Sequence, residues 1–235
     1  MNIPHSLVTG ANRGLGLEFV RQLLQRGEHV VAVCRTPGTA TELNRLAAEH
    51  PHRLHVLPFD AASPASIAEL VRELPLALGE GVRLQRLINN AGVLHSGERF
   101  GTLRADLLED SFRINAIAPL LLLQAAAPLL ADGAKVANLS SVMGSIAGTD
   151  GFRSPGYGAS KAAQNMFTVQ AAHALAPRGI VVLALHPGWV HTDMGGDSAP
   201  VSPADSVRGL LQVIDAASPA QSGRFLDWTG KPVPW

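Results

Sequence analysis

Residues 5–25 read HSLVTGANRGLGLEFVRQLLQ. His5–Thr9 is a short apolar run of strand character, Leu15–Gln25 has helical periodicity, and the turn between them carries Gly10, Gly14 and Gly16. A strand entering a helix through closely spaced glycines has a physical purpose. Gly10 permits the tight turn, Gly14 lets backbone approach a pyrophosphate, and Gly16 allows close helix–strand packing. The helix N-terminus then offers free N–H groups and partial positive charge. The spacing here is G-x-x-x-G-x-G rather than G-x-G-x-x-G. The competing reading is a loop that only caps a helix. This stretch predicts the first βα unit of a dinucleotide-binding sheet.

The pattern continues along the chain. Strands are expected at His29–Cys34, Leu54–Phe59, Arg86–Asn90, Lys135–Leu139, Ile180–His186 and Gly223–Asp227. Several, such as VVAVC and IVVLAL, are apolar without alternation, as strands covered on both faces are. Helices are expected at Thr39–Glu49, Ser66–Leu78, Leu103–Leu130, Tyr157–Ala174 and Ala204–Ala216. Ser63-Pro64 and Ser202-Pro203 read as helix starts, Gly27 and Gly179 as stops. Alternation with short connections predicts an α/β fold of the Rossmann type, a doubly wound, mainly parallel, seven-stranded sheet with helices on both faces. Ligands then bind beyond the carboxyl ends of the strands. Gly195–Pro203, GGDSAPVSP, reads as a mobile loop near the site.

Composition narrows the partners. The 235 residues hold 19 basic and 19 acidic side chains, a balance that argues against nucleic acid and anionic membrane. Only 16% of residues are charged while 46% are hydrophobic, which suits a globular core and excludes disorder. One cysteine, Cys34, rules out an internal disulfide framework and a Cys-rich metal site. No basic leader followed by a long apolar stretch opens the sequence, and a cytoplasmic protein is expected. The most membrane-like run, Ile117 to Ala131, contains Pro119, Gln124 and Pro128 and reads as a buried helix. His50, His52 and His55 fall around Pro51 on a loop, and no metal site is expected.

Dinucleotide folds specific for NAD usually end the second strand on a carboxylate that holds ribose hydroxyls. Here the strand ends Val33-Cys34-Arg35. Arg35 with Arg13 suits a 2′-phosphate, so NADP(H) is preferred and NAD(H) remains possible. The alternative is two solvated surface arginines.

Six motifs stand in order along the chain: TGANRGLG (9–16), NNAG (89–92), Asn115 in FRINAIAPL, Ser140-Ser141 after a strand, YGASK (157–161) and PGWVHT (187–192). On these the chain resembles the short-chain dehydrogenase/reductase family over essentially its whole length, as one domain spanning 1–235. The C-terminal GRFLDWTGKPVPW and the TDMGG at 192–196 resemble the branch containing C-factor and sniffer-like carbonyl reductases. Ser141 and Tyr157 stand sixteen positions apart, a longer gap than is usual in the family.

The resemblance implies residue roles. Asn12, Arg13 and Leu15, with Gly10, Gly14 and Gly16, belong to the cofactor turn; Asp60 would accept from the adenine amino group. Asn90, Ala91 and Gly92 would line the adenosine ribose, while Pro187, Gly188, Val190 and Thr192 would hold the nicotinamide carboxamide. Thr192 also reads as a helix N-cap two residues before Met194. Asn115, Ser141, Tyr157 and Lys161 form the catalytic set, Tyr157 and Lys161 also touching cofactor. Tyr157 is the only tyrosine, hence the only phenolic acid. Lys161 lies one helical turn on, where its ammonium favours the phenolate. The plainer reading of that pair alone is an exposed i,i+4 contact. Ser141 would hydrogen-bond the substrate oxygen, and Asn115 would hold a water in the relay to Lys161 or simply pair with backbone.

The expected activity is NADPH-dependent reduction of an aldehyde or ketone. The alternatives are an NAD-dependent alcohol or hydroxysteroid dehydrogenase and a non-catalytic dinucleotide-binding regulatory protein. The partner is a small carbonyl or alcohol substrate, with Met143, Phe152 and Trp189 walling its pocket. Leu120–Leu123, Leu129 and Leu130 on one long helix, and Ala162, Ala163, Phe167, Val169, Ala171, Ala172 and Ala174 on the next, predict a homodimer or homotetramer.

Overall fold

The computed structural model describes residues 3–235. Seven strands, β1 (His5–Thr9), β2 (His29–Cys34), β3 (Leu54–Pro58), β4 (Leu84–Asn89), β5 (Leu130–Leu139), β6 (Val181–His186) and β7 (Phe225–Asp227), form one sheet of order 3-2-1-4-5-6-7. Every adjacent pair is parallel, so the sheet is more uniform than the expected mainly parallel one. The strand order reverses between β1 and β4, which opens a crevice at that switch point.

Side-chain alternation sends each strand into two cores. Val8, Val30, Ala32, Leu183 and Leu185 pack with Phe19, Leu23 and Leu210 of α1 (Gly14–Gln25) and α7 (Pro203–Ala216), and with Leu43 and Leu46 of α2 (Thr41–Glu49). Leu7, Val31, Val33, Val136 and Val182 pack on the other side with Leu70 and Leu74 of α3 (Pro64–Leu78) and with Leu122 and Leu123 of α5 (Ala118–Ala126). Ala171 and Ala172 of α6 (Pro155–Leu175) complete that second core.

Local chemistry sets the helix ends. Ser63 and Ser202 cap α3 and α7 by accepting from Ser66 N and Asp205 N, each with proline next in line. Gly27 and Gly179 take φ of 79° and 63°, the left-handed conformation that ends a helix most easily at glycine.

The expected helix Leu103–Leu130 departs from its reading. It divides into α4 (Ala105–Phe112), a π-helical turn at Arg113–Ile117, α5 and a 3₁₀ turn at Ala127–Leu129. Pro128 sits in that last turn, and Leu130 leaves the helix to begin β5. The run Ala105–Leu129 is long and apolar enough to cross a membrane by length and composition alone. Its Leu122, Leu123 and Ala126 are buried in the fold.

Candidate active site

A groove runs along the carboxyl ends of β2, β1, β4, β5 and β6. Its floor is the glycine turn, where Gly10, Asn12, Arg13, Gly14 and Leu15 line the surface. Gly16 lies beneath rather than on it. A Cβ there would stand 2.1 Å from Gly10 O, so α1 enters the sheet too closely for any side chain. Asn90 fastens the same turn, its Nδ2 donating to Thr9 O at 2.9 Å and Gly10 O at 3.2 Å. Thr9 Oγ1 accepts from the Asn90 and Ala91 N–H groups, both at 3.0 Å. Asn90 thus shapes the turn while lining the groove beside Ala91 and Gly92.

At one end, Cys34 closes β2 with Arg35 and Thr36 following it, and Asp60 lies beyond β3. No carboxylate stands at the end of β2. Arg13 is engaged across the groove mouth by Asp193, 2.5 Å away, and both groups are exposed.

At the other end, Tyr157 and Lys161 rise from the first turns of α6. That helix start is heavily constrained. Ser154 takes φ 40°, the one non-glycine with positive φ among the described residues, and Glu98 Oε2 accepts from Gly156 N at 3.1 Å. Ser141 lies beside the Tyr157 phenol, and its Oγ accepts from Met143 N at 3.2 Å. Lys161 Nζ lies 5.7 Å from the centre of the Tyr157 ring. It donates to Leu139 O at 2.6 Å and to Gln164 Oε1 at 3.0 Å.

Electrostatics at this end follow burial. Desolvation pulls Lys161 down to about 7. It pushes the Tyr157 phenol up, with the neighbouring Ser141 hydroxyl opposing. That direction is opposite to the one expected from Lys161 alone, because burial of the phenol outweighs a cation that makes its bonds elsewhere. His186 ends β6 and is likewise pulled by burial, to about 4, against the opposing pull of Asp227. It stays neutral at ordinary pH, and its Nδ1 accepts from Val142 N at 3.3 Å, next to Ser141. Sequence reading passed over both His186 and Gln164.

Asn115 sits in the π-helical turn, fully buried. Such turns recur at functional sites. Its Oδ1 accepts from Val93 N at 2.8 Å, and its Nδ2 donates to Val93 O and Ser160 Oγ. A Cβ on Gly92 would meet Asn115 Oδ1 at 3.2 Å and Lys161 Nζ at 3.7 Å, so the two face the same spot.

The last segment divides. Pro187 and Thr192 reach the groove, whereas Val190 is buried and Gly188 packs under the Trp228 indole, where a Cβ would meet Nε1 at 3.0 Å. Thr192 caps a turn rather than a helix, its Oγ1 accepting from Gly195 N at 3.2 Å. The stretch read as a mobile loop is tied down, with His191 N donating to Val201 O, Val201 N to Trp189 O, and the Trp189 indole to Gly195 O at 2.7 Å.

The long segment between Ser141 and Tyr157 forms an exposed apolar rim. Ile146 is 78% exposed, Phe100 84%, and Phe100 meets Phe152 edge to face at 5.6 Å. Met143 and Trp189 are also exposed. Trp235 O accepts from Ala147 N, tying the rim to the C-terminal tail. The three loop histidines are scattered: His50 contacts Arg53 while His55 lies on β3, and among the described residues no His, Cys, Asp or Glu group is placed to hold a metal.

Residues 4–201 match the family model for short chain dehydrogenases. The chain belongs to the short-chain dehydrogenase family. As such it is an NAD(P)-dependent oxidoreductase. This short-chain dehydrogenase is 45% identical over 151 residues to C-signal of Myxococcus xanthus, across 63% of this chain and 91% of that one. The structure of NADPH-bound carbonyl reductase from chicken fatty liver superposes with TM-score 0.93 at 38% identity, covering both chains fully. Carbonyl reductase Sniffer of D. melanogaster superposes at 0.94 with 33% identity, again over both full chains.

Proposed function

We propose that this oxidoreductase is an NADPH-dependent carbonyl reductase in which Tyr157 is the general acid. The observation that carries the reading is that Tyr157 and Lys161 line one end of a groove, with Ser141 beside the Tyr157 phenol, while the other end holds Arg35 and Arg13 without a carboxylate at the end of β2. The NADPH-bound chicken relative supports the same cofactor here.

The glycine turn fits a dinucleotide, since Gly10 presents bare backbone at the groove surface and Gly16 beneath it has no room for a Cβ. Gly14 and Leu15 N–H groups would hold the pyrophosphate at the start of α1, with Asn12 beside them. Asp60 would accept from the adenine amino group. Arg35 and Arg13 would grip the 2′-phosphate, Arg13 exchanging Asp193 for it. Pro187 and Thr192 would hold the carboxamide, with Gly188 and Val190 supporting from behind.

When bound, the reduced nicotinamide supplies the hydride. Ser141 Oγ donates to the carbonyl oxygen as charge develops on it. Tyr157 gives the proton. A phenol pushed up by burial stays protonated at neutral pH, the form a reductase needs. Lys161 stabilises the phenolate left behind, and Asn115 secures the wall at its side. The apolar rim suits a largely apolar aldehyde or ketone. NADPH oxidation across a panel of such compounds tests the reading. Tight NADPH binding with turnover of none of them would replace it by the regulatory one.

Cofactor choice has a separate prediction. Arg35→Asp removes a phosphate partner and adds a repelling carboxylate, so the affinity ratio should swing toward NADH by more than about tenfold, or ~1.4 kcal/mol. Titrating both cofactors into both proteins decides it, and a wild type that already prefers NADH refutes the assignment.

We also propose a homodimer or homotetramer built on the outer faces of α4, α5 and α6. Ala162, Ala163, Phe167 and Val169 are half-exposed there, and Ile117 and Met166 are exposed. Ala171, Ala172, Leu122, Leu123 and Leu130 drop out of the expected interface, because they fill this chain's own core. Sedimentation equilibrium at micromolar concentration should give at least twice the chain mass, and a single monomer species refutes it.

A further inference from the structure

The core-facing side of α6 is polar where a core helix is ordinarily apolar. Ser160, Lys161, Gln164, Asn165 and Thr168 are all buried. Most have partners that explain them. Ser160 Oγ donates to Tyr157 O and accepts from Asn115 Nδ2. Asn165 joins Ser140 Oγ to Gly144 O, and Thr168 joins Asn138 Nδ2 to Gln164 O. Gln164 is the exception. Its side chain makes one bond, from Lys161 Nζ to Oε1 at 3.0 Å, and its Nε2 has no partner among the described residues.

Gln164 is 1% exposed, so that unmade bond is not satisfied by bulk solvent. Turning the amide over would face its NH₂ against an ammonium, so Lys161 alone fixes the orientation. A leucine would fill the position without burying an unpaired donor. What the amide does there that leucine does not is accept a hydrogen bond from Lys161.

Lys161 needs that acceptor. Its ammonium has three protons. Leu139 O at 2.6 Å takes one and Gln164 Oε1 another, which leaves one N–H for the groove that Lys161 lines. Burial pulls Lys161 down to about 7 and no carboxylate opposes it. Both of its protein acceptors are therefore neutral oxygens.

We infer that Gln164 is a positioning residue that anchors the Lys161 ammonium beneath Tyr157 and stabilises its charged form. The catalytic consequence rests on the reading of Lys161 given under Proposed function; the effect on Lys161 itself does not.

The chain has three lysines, Lys135, Lys161 and Lys231, so NMR titration of lysine labelled at Cε resolves each one. Lys161→Met assigns its signal by loss. Gln164→Leu removes the acceptor and should weaken proton binding at Lys161 about tenfold, moving its midpoint to lower pH. Gln164→Glu brings a carboxylate to the same place and should strengthen binding by about tenfold or more. Lys135 and Lys231 should not move. A glutamine that merely packs would leave the Lys161 midpoint where it stands in Gln164→Leu, and that result overturns the inference. Should Gln164→Leu fail to fold, Gln164→Met, unbranched like glutamine and without the oxygen, takes its place. The pH profile of kcat/KM on the best carbonyl substrate is measured beside the titrations. Midpoints that move while the profile stays fixed uphold the Gln164–Lys161 coupling and refute the catalytic role of Lys161.

Discussion

Tyr157→Phe should bind NADPH as the wild type does and turn over about 10²–10⁴ times more slowly, the usual contribution of a positioned acid or base. The change removes one oxygen and keeps the ring. Tyr157 lines the groove with its ring centre 5.7 Å from Lys161 Nζ, and keeping the ring preserves that shape for the cofactor. The lost oxygen is the group that Ser141 neighbours. Tyr157 is the chain's single tyrosine, so no other phenol replaces it as proton donor. With a proton transferred only as the alkoxide forms, kcat and kcat/KM should fall together while KM changes little. Thermal unfolding of the variant checks that the fold is intact. Retention of more than about a tenth of the wild-type rate, with chemistry limiting, would remove Tyr157 from the role.

The fold was legible because its strands are covered on both faces. HVVAVC and VVLALH carry no alternation, and the structure buries every residue of each except the terminal histidines. The serine-proline starts of α3 and α7 were legible for a similar reason, since a cap and the N–H that donates to it lie within one turn of sequence. What escaped reading depends on groups far apart in the chain. Nothing in FRINAIAPL announces a π-helical turn, which is fixed where Asn115 reaches Val93 and Ser160. Arg13 meets Asp193 across 180 positions, and Gly188 is set by Trp228. Gln164 escaped for another reason. It lies within one turn of Lys161 and was open to an i,i+3 reading, but its importance comes from burial, and burial on a polar helix face has no periodic signature. The apolar residues of α6 misled in the complementary way. Ala171 and Ala172 share the alanine-rich pattern of the outer face yet lie against the sheet.

Gly16→Ala should destabilise the protein by about 2–3 kcal/mol or more and abolish tight NADPH binding. Helix propensity alone forecasts the reverse, because replacing an internal helical glycine by alanine usually gains roughly 0.5–1 kcal/mol. Gly16 lies in the first turn of α1 and its φ is not positive, so backbone strain does not explain its presence. Contact does. The added methyl would stand 2.1 Å from Gly10 O and 2.6 Å from Asn90 Nδ2, and the first of these is backbone that cannot swing aside as a side-chain tip can. Relief requires α1 to move away from the turn. That movement separates Gly10 O from the Asn90 amide, which holds the turn against β4, and displaces the N–H groups at Gly14 and Leu15. One methyl group therefore couples packing to cofactor affinity. For a chain of this size a loss of 2–3 kcal/mol lowers Tm by roughly 5–10 °C, readable by thermal unfolding without cofactor. NADPH titration should then show affinity down by about a hundredfold, or ~2.7 kcal/mol. An unchanged or raised Tm would mean that α1 and the turn accommodate a side chain, and the close approach of helix to strand would lose its place in the account of the cofactor cradle.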